Sequence, residues 1–239
     1  MAAPIGIPAI VLAGGLGTRL RPVISDLPKP MAPVNGFPFL HYLFLYLQRQ
    51  GVTDVVLSVG YKADVIKDFF GEKYSRVNIT YSLEDEPLGT GGGIAQAMSM
   101  IDSDAFVLNG DTFFDIDLSE LHYFHQEKNA DVSFALKRMH DFDRYGTVEI
   151  GNCDRVLQFH EKHYCHHGLI NGGAYVLGKD IFKKAEKIEG TPLPHKFSFE
   201  KDILEKHLLP LHYHAREFDN YFIDIGIPED YQKVQEDFK

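Results

Sequence analysis

The chain has 239 residues, of which 44% are hydrophobic and 13% aromatic, which is enough apolar material for a large α/β domain. Its formal net charge of −10, without any run of lysine or arginine, argues against a nucleic acid or an anionic membrane as partner. No apolar stretch reaches the roughly 18 residues of a membrane helix, and the two cysteines are too few for a disulfide framework. We therefore expect a cytoplasmic protein that acts on small molecules.

The first half of the chain alternates short apolar runs with helical patterns. The runs predict buried strands at residues 8–13, 54–59, 78–83 and 105–108. Helical patterns over 39–50 and 63–70 stop at Gly51 and Gly71, the residue type that most often follows a helix, and a third helix is predicted over 92–100. This alternation is typical of an α/β, Rossmann-like doubly wound, mostly parallel sheet. Ligands of such sheets lie outside the carboxyl ends of the strands.

The second half has a different pattern, in which strands dominate. After a helix predicted over 118–128, β-rich segments at 132–138, 147–150, 156–160 and 169–177 predict a smaller lobe built on a mixed sheet. Ser198 is expected to cap a helix over 199–207, a strand is expected over 213–217, and Pro228 is expected to begin the final helix.

The loop after the first predicted strand is rich in glycine and in cations. Residues 12–30 read LAGGLGTRLRPVISDLPKP, with three cations and one acid in an otherwise acidic chain. Glycines let the backbone N–H groups approach an anion closely, although GGLG alone also fits an ordinary strand-to-helix turn. Pro28 and Pro30 restrict the backbone on both sides of Lys29. The segment matches neither a Walker loop nor a dinucleotide fingerprint, and we predict a different kind of triphosphate site.

Two aspartates follow predicted strands. Asp111 comes directly after LNG, and Asp224 lies within FIDIG. Mg²⁺ favours one or two carboxylates together with phosphate oxygens and water. Either aspartate alone also fits a turn or a cap. Together with the phosphate loop, they predict a Mg²⁺ site formed by Asp111 and Asp224.

A set of motifs in one order extends over nearly the whole chain: GGLGTRLRP, LPKPM, YSLEDEPLGTGGGI, LNGD, FHEK, INGGAYVL and FIDIGIPEDY. This set resembles the sugar-1-phosphate nucleotidyltransferases. The resemblance implies a GT-A-like form of the fold and the transfer of a nucleotidyl group from a nucleoside triphosphate to a sugar 1-phosphate, with release of pyrophosphate and Mg²⁺ as cofactor. The chain length fits one large domain or two small ones, and we expect a single domain over 1–239, with a nucleotide-binding half at 1–117 and a sugar-phosphate-binding half at 118–239.

The resemblance and the residue types together assign site residues. Catalytic roles are expected for Arg19, Lys29 and Lys162. The nucleotide is expected to contact Leu12, Ala13, Gly14, Gly15, Gly17, Thr18, Arg19, Lys29, Glu84, Gly89, Thr90, Asn109 and Asp111. The sugar phosphate is expected to contact Gly146, Glu161, Lys162 and Asn171. The family usually continues EKP, where this chain has His163 in place of the proline.

Glu84 bears on the choice of nucleotide. Guanine presents two adjacent donors on its Watson–Crick edge, and a carboxylate accepts both, whereas uracil and thymine present an acceptor beside their donor. Glu84 therefore favours GTP, the alternative being a solvated loop acid beside Asp85 and Glu86. Within the family the sequences of these motifs are most similar to those of the D-glycero-α-D-manno-heptose 1-phosphate guanylyltransferases, which implies GDP-heptose as product. Mannose 1-phosphate guanylyltransferase, glucose 1-phosphate thymidylyltransferase and a muramate-type uridylyltransferase stay open, and the protein is expected to be a monomer or homodimer.

Alternatives from other classes are a catalytically silent nucleotide-sugar sensor and a metal-dependent glycosyltransferase. The latter would use a DxD pair, for which Asp115 and Asp117 are candidates, although we expect a helix start there. The tract HEKHYCHH at 160–167 contains four histidines and Cys165, but its spacing matches zinc sites poorly, and we expect a mobile loop over the sugar pocket instead.

Overall fold

A computed structural model describes residues 4–15 and 27–239. In chain order its strands are β1 (Ala9–Leu12), β2 (Pro33–Val34), β3 (Phe37–Pro38), β4 (Asp54–Val59), β5 (Lys73–Tyr74), β6 (Val77–Leu83), β7 (Ala105–Asn109), β8 (Thr112–Phe114), β9 (Val132–Phe142), β10 (Thr147–Ile150), β11 (Val156–His160), β12 (Cys165–Leu177), β13 (Tyr213–Glu217) and β14 (Phe222–Asp224). Its helices are α1 (Phe39–Arg49), α2 (Ala63–Phe70), α3 (Gly89–Met98), α4 (Leu118–Glu127), α5 (Ile181–Glu189) and α6 (Pro228–Asp237), with a π-helix at Phe199–Glu205 and 3₁₀ turns at Lys29–Met31 and Asn152–Asp154.

The centre of the main sheet consists of parallel strands in the order β6-β4-β1-β7. Residue Ala9 pairs with Val55 on one side and with Phe106 on the other. The chain moves outward from β1 through β4 to β6 and then returns to the other side of β1 as β7. The segments that leave β1 and β7 therefore emerge side by side, at the switch point where α/β sheets bind ligands.

Beyond β7 the sheet becomes mixed. Strand β12 runs antiparallel to β7, and β10, β11 and β9 continue the antiparallel pairing, while β13 lies parallel to β9. Strands from both sides of residue 117 thus share one sheet. The pairing of β12 with β9 shifts register between Asn171 and Tyr175, and Gly173 has a φ of 71° within that irregularity. The α/β class is confirmed, and the parallel pairing expected for most of the sheet is concentrated in its first half.

Helices cover both faces of the sheet, so successive residues of β1 enter different cores. Ala9 and Val11 pack into a core formed with α1, α2, α4 and α6. Ile10 packs into a second core formed with α3, α5 and the π-helix. A strand buried on both faces is apolar throughout, which explains why β1 reads as a continuous run. None of the helices in 4–15 or 27–239 is both long and apolar enough to cross a bilayer.

Several predicted boundaries agree with the structure. Helix α2 ends at Phe70 and α1 at Arg49, with positive φ angles at the glycines that follow. The Ser198 hydroxyl accepts a hydrogen bond from the N–H of Lys201, and Pro228 is the first residue of α6. Strands β9 and β12 are longer than predicted. Helix α5 and the short strands β2, β3, β5 and β8 were not predicted.

Candidate active site

The carboxyl ends of β1 and β7 are in backbone contact. The N–H of Gly110 donates to the carbonyl of Leu12 at 2.9 Å, and a Cβ on Gly110 would lie 2.6 Å from the same oxygen. Ala13 is held to β4 through its N–H, which donates to the Ser58 carbonyl. The predicted phosphate-loop residues Leu12 to Gly15 therefore lie beside Asn109 and Asp111. Gly17, Thr18 and Arg19 lie outside the described residues.

Two predicted metal ligands are brought together by a two-stranded sheet that is separate from the main one. Strands β8 and β14 pair antiparallel, with Asp224 opposite Thr112, and the N–H of Ile225 donates to the Asp111 carbonyl at 3.0 Å. This pairing places the Asp111 and Asp224 side chains at the same point beside the switch of strand order. Strand β8 was not predicted, so the two aspartates were expected to form a pair without the strand pairing that aligns them.

Lys29 lies between these aspartates. Its Nζ is 2.5 Å from Asp111 Oδ2 and 3.3 Å from Asp224 Oδ1, and its side chain is only 11% exposed. The lysine begins the 3₁₀ turn, in which Pro30 is buried. Asp224 Oδ1 also accepts from the Gly226 N–H. Asp224 therefore stabilises a turn, as one interpretation of the sequence predicted, and its carboxylate still faces Lys29.

The two carboxylates fit a divalent cation. Because both contact one nitrogen, these oxygens lie at most about 6 Å apart, and both side chains keep a solvent-facing part, 33% for Asp111 and 25% for Asp224. Hard oxygen donors with room for water and phosphate are what Mg²⁺ requires. The site has two carboxylates, and nowhere among the described residues is a group of three or more His, Cys, Asp or Glu side chains arranged to hold a metal ion.

Glu84 is not a solvated loop acid. Its Oε1 accepts from the Ser58 hydroxyl at 2.9 Å, and its Oε2 accepts from the Leu88 N–H at 3.1 Å. A Cβ on Gly14 would lie 2.7 Å from Oε1, and one on Gly93 would lie 3.0 Å from it. The carboxylate therefore lies between the phosphate loop and the start of α3, where each oxygen keeps a further lone pair for a ligand.

The glycines of the GTGGG segment accommodate the protein's own chain. Gly89 and Thr90 of this segment are predicted to contact the nucleotide. In the structure, a Cβ on Gly91 would lie 2.3 Å from ring carbons of Phe197, and a Cβ on Gly89 would lie 2.5 Å from the Phe197 carbonyl. The carbonyl of Phe197 accepts from the N–H of Gly91. These contacts explain why Gly89 and Gly91 have no side chain, independently of any ligand.

Thr90 joins the same segment to the second half of the chain. Its hydroxyl donates to Glu200 Oε2 at 2.7 Å and accepts from the Phe199 N–H at 2.9 Å. The Ser198 hydroxyl donates to the same carboxylate oxygen at 2.9 Å. The residue predicted to contact the nucleotide thus fixes the start of the π-helix against α3.

A cavity of about 360 Å³ lies beside Asp224. It brings together Gly146, Lys162 and Asn171, three of the four residues predicted for the sugar phosphate, with Asn109 and Asp224. Glu161 lines an adjoining cavity of about 290 Å³, which shares Gly146, Lys162 and Asn171 with the first. The first cavity is also lined by residues that were not predicted, among them Arg144, Tyr145, Tyr175 and Glu200.

The missed residues add donors and acceptors to the cavity. Burial, together with the charge of Asp224, raises the pKa of Tyr145, and burial raises the pKa of Tyr175. Both phenols therefore remain hydrogen-bond donors at neutral pH. The Tyr175 hydroxyl accepts from Asn171 Nδ2 at 2.9 Å. For Arg144 a signal existed, because it is a cation two residues before the predicted Gly146, whereas Glu200 reaches the cavity only through tertiary packing.

Two other sequence predictions have clear outcomes. Asp117 caps α4 by accepting from the N–H groups of Ser119 and Glu120, and Asp115 pairs with Arg49, so the DID motif is a helix start. Half of the tract at 160–167 is part of the sheet, because β11 ends at His160 and β12 begins at Cys165. Residues 161–164 form the connection between these strands, and Glu161 and Lys162 of this connection line the cavities, as expected for a loop at the sugar pocket.

The fold is that of a nucleotidyltransferase, and the chain belongs to the nucleotidyl transferase family, whose profile matches residues 8–239. It is 51% identical to the D-glycero-α-D-manno-heptose 1-phosphate guanylyltransferase of Campylobacter jejuni, over 93% of this chain and 96% of that protein. It is 49% identical to the enzyme of the same name from Aneurinibacillus thermoaerophilus, over 97% and 98% of the two chains. Among solved structures it is similar to HddC from Yersinia pseudotuberculosis, with a TM-score of 0.83 and 40% identity over 98% of this chain and 100% of that chain. HddC has also been solved in complex with GMP-PN.

Proposed function

We propose that this protein transfers a guanylyl group from GTP to D-glycero-α-D-manno-heptose 1-phosphate, giving GDP-heptose and pyrophosphate. The observation that carries the proposal is the meeting of Lys29, Asp111 and Asp224 at the edge of a cavity that Lys162 also lines. The similarity to two guanylyltransferases supports the choice of nucleotide and sugar. We place the enzyme in the cytoplasm as a monomer or homodimer, with Mg²⁺ as the metal.

The sugar phosphate is its own nucleophile in this reaction. With a second pKa near ~6, a phosphate monoester is mostly dianionic at pH 7, so no general base is required. One of its oxygens attacks the α-phosphorus of GTP while the bond from that phosphorus to the β-phosphate oxygen breaks. The protein must therefore hold two anions in line and neutralise their charge.

The residues divide this work between two ends of the site. Asp111 and Asp224 would hold Mg²⁺, which when bound neutralises charge at the α-phosphate and on the departing pyrophosphate. Lys29, already between these carboxylates, lies within reach of a phosphate that binds beside them. Lys162 contributes positive charge for the phosphate of the sugar, and Asn171 and Gly146 bound the space for its hydroxyl groups. Arg19 is proposed to share the triphosphate charge.

The direct test is pyrophosphate release with Mg²⁺, measured for GTP, UTP, dTTP and ATP against heptose, mannose and glucose 1-phosphates. We expect the highest kcat/KM for GTP with the heptose phosphate. A nucleotide-sugar sensor would bind GDP-sugar without releasing pyrophosphate, and a glycosyltransferase would release none from a triphosphate. A higher kcat/KM with mannose or glucose 1-phosphate would replace the proposed sugar, and a preference for UTP or dTTP would replace the proposed nucleotide.

Glu84→Gln tests the choice of guanine. If the carboxylate accepts both donors of the base, the variant should lose GTP preference over UTP by roughly 1–3 kcal/mol, as the ratio of kcat/KM values. Ser58→Ala is the matched control, because it removes one hydroxyl donor to Glu84 and keeps the carboxylate. We expect Ser58→Ala to retain the nucleotide preference. Equal changes in the two variants would show that Glu84 acts through loop shape instead of base contact.

A further inference from the structure

Arg144 occupies a distinctive place at the cavity. It lies on the short connection between β9 and β10, and it lines the same cavity as Lys162 and Asp224. Its Nη2 donates to Asp230 Oδ2 at 2.7 Å, with side-chain exposures of 37% and 23%. Asp230 is the third residue of α6. The ion pair thus joins two segments of the cavity wall that are far apart in the sequence.

A second contact joins the same two segments. The rings of Tyr145 and Phe222 lie 6.3 Å apart in an edge-to-face arrangement, and the Arg144 guanidinium lies 5.4 Å from the centre of the Tyr145 ring. Phe222 begins β14, which ends at Asp224. The β9–β10 connection is therefore fixed on both sides of Asp224: to β14 through Tyr145, and to α6 through Arg144.

Asp224 itself lies on a short segment between these two attachments. Its Oδ1 accepts from the N–H of Gly226, and α6 begins two residues later at Pro228. The position of the Asp224 carboxylate thus depends on where α6 starts. Gly146, which lines the cavity beyond Tyr145, belongs to the opposite segment. The separation of the metal-binding end from the sugar end is set by the contacts between the segments.

We propose that the Arg144–Asp230 ion pair is a clamp that fixes this separation, and that Arg144 is a positioning residue for Asp224. The inference rests on the proposed function, because it takes Asp224 as a ligand of the metal. In-line transfer depends steeply on the distance between the reacting groups, so a small shift of the Asp224 turn impairs both metal binding and the use of sugar phosphate. The nucleotide loops at β1 and α3 are attached elsewhere and are unaffected.

The test compares Arg144→Met, Asp230→Asn and the double variant with the parent protein. Two readouts are used: Mn²⁺ binding in the presence of a non-hydrolysable GTP analogue, from the signal of free Mn²⁺ in electron paramagnetic resonance, and the KM values for both substrates. We expect each single variant to weaken Mn²⁺ binding and, at saturating Mg²⁺, to raise the KM for sugar phosphate about tenfold, with the KM for GTP within twofold. The double variant should match the more impaired single variant, because one link is lost in all three.

Two controls separate the clamp from general effects. Glu229→Gln removes an exposed acid from the same first turn of α6, and Arg138→Met breaks a bidentate pair with Glu217 away from the cavity. Both should keep the parental values, and Arg144→Lys should recover part of the loss. Any of three results would overturn the clamp. The single variants could keep Mn²⁺ binding and the KM for sugar phosphate within twofold of the parent, the effects could multiply in the double variant, or the control variants could show equal effects. If the parent releases no pyrophosphate, the proposed function fails, while the Mn²⁺ titration still decides on the clamp.

Discussion

Lys29 and the two aspartates beside it illustrate what single residues contribute here. The sequence identifies the aspartates by their position after predicted strands, and Lys29 by the prolines on both sides of it. Their convergence follows from the pairing of β8 with β14, whose partners are too far apart in the chain for any local pattern to reveal. Glu200 was missed for the same reason, because only tertiary packing places it at the cavity, whereas Arg144 and Tyr145 directly precede the predicted Gly146.

The position of Lys29 leads to a prediction about stability and metal binding. In Lys29→Met the two carboxylates lose the cation between them, so they repel each other and bind Mg²⁺ more readily than in the parent. Because both acids are partly exposed, we expect the variant to lose about 1 kcal/mol, equivalent to roughly 2–4 °C in Tm. Added Mg²⁺ should restore that loss in the variant and have less effect on the parent.

The same variant should lower kcat/KM by a hundredfold or more, because in the proposed mechanism Lys29 neutralises the triphosphate chiefly in the transition state. Thermal unfolding with and without Mg²⁺, and pyrophosphate release, are the measurements. Lys137→Met is the control, since Lys137 also pairs with a carboxylate, that of Asp219 at 2.9 Å, outside the cavity. Near-normal turnover in Lys29→Met, or a Tm that does not respond to Mg²⁺, would contradict this account.

At the level of elements, local chemistry predicts the ends of helices better than it predicts short strands. Gly51 and Gly71 end α1 and α2 because their positive φ angles suit the residue after a helix. Strands β2, β3, β5 and β8 have two or three residues each, too few to show a periodic pattern. Helix α5 was detectable from the sequence, since the apolar Ile181 and Ala185 are four residues apart and Gly190 follows the helix. In the structure both side chains are buried, and Gly190 has a φ of 71°.

The contact between α3 and the segment at 195–199 can be tested with a single methyl group. In Gly91→Ala, the added Cβ would overlap the Phe197 ring at 2.3 Å and the Phe199 nitrogen at 2.9 Å. Such overpacking should cost about 2 kcal/mol in the free energy of unfolding. Gly15→Ala is the matched control, because a Cβ there has no neighbour within 4 Å among the described atoms. Urea unfolding of both variants measures the difference, and equal stabilities would show that the segments do not pack as described.

At the level of the whole molecule, stability should depend on pH through a buried histidine. His125 lies in α4 with 4% exposure, and its Nδ1 is 2.9 Å from the Ser133 hydroxyl. Burial lowers its pKa to about 4, from the usual 6.5. Between these values the unfolded chain binds a proton that the folded chain does not, so stability rises with pH across the interval from about 4 to 6.5 and is lost as pH falls through it.

Replacing His125 by Asn should therefore flatten the dependence of stability on pH below 6.5. The histidine accounts for up to about 3 kcal/mol over that interval, to which other groups add. Tm values between pH 4.5 and pH 7.5 measure the slope. His167→Asn, at an exposed position, should keep the parental slope. An unchanged slope in His125→Asn would assign the acid sensitivity to other groups.

Strand β12 has a consequence for anyone who wishes to change the sugar that this protein uses. Its thirteen residues pair with β7, from the first half of the chain, and with β9 and β10, from the second. A chimaera joined at residue 117 would therefore have to re-form the pairing of β12 with β7 as well as exchange the sugar-binding cavity. Transplanting the connections at 143–146 and 161–164 leaves that strand pairing intact, and is the more promising route to a redesigned acceptor specificity.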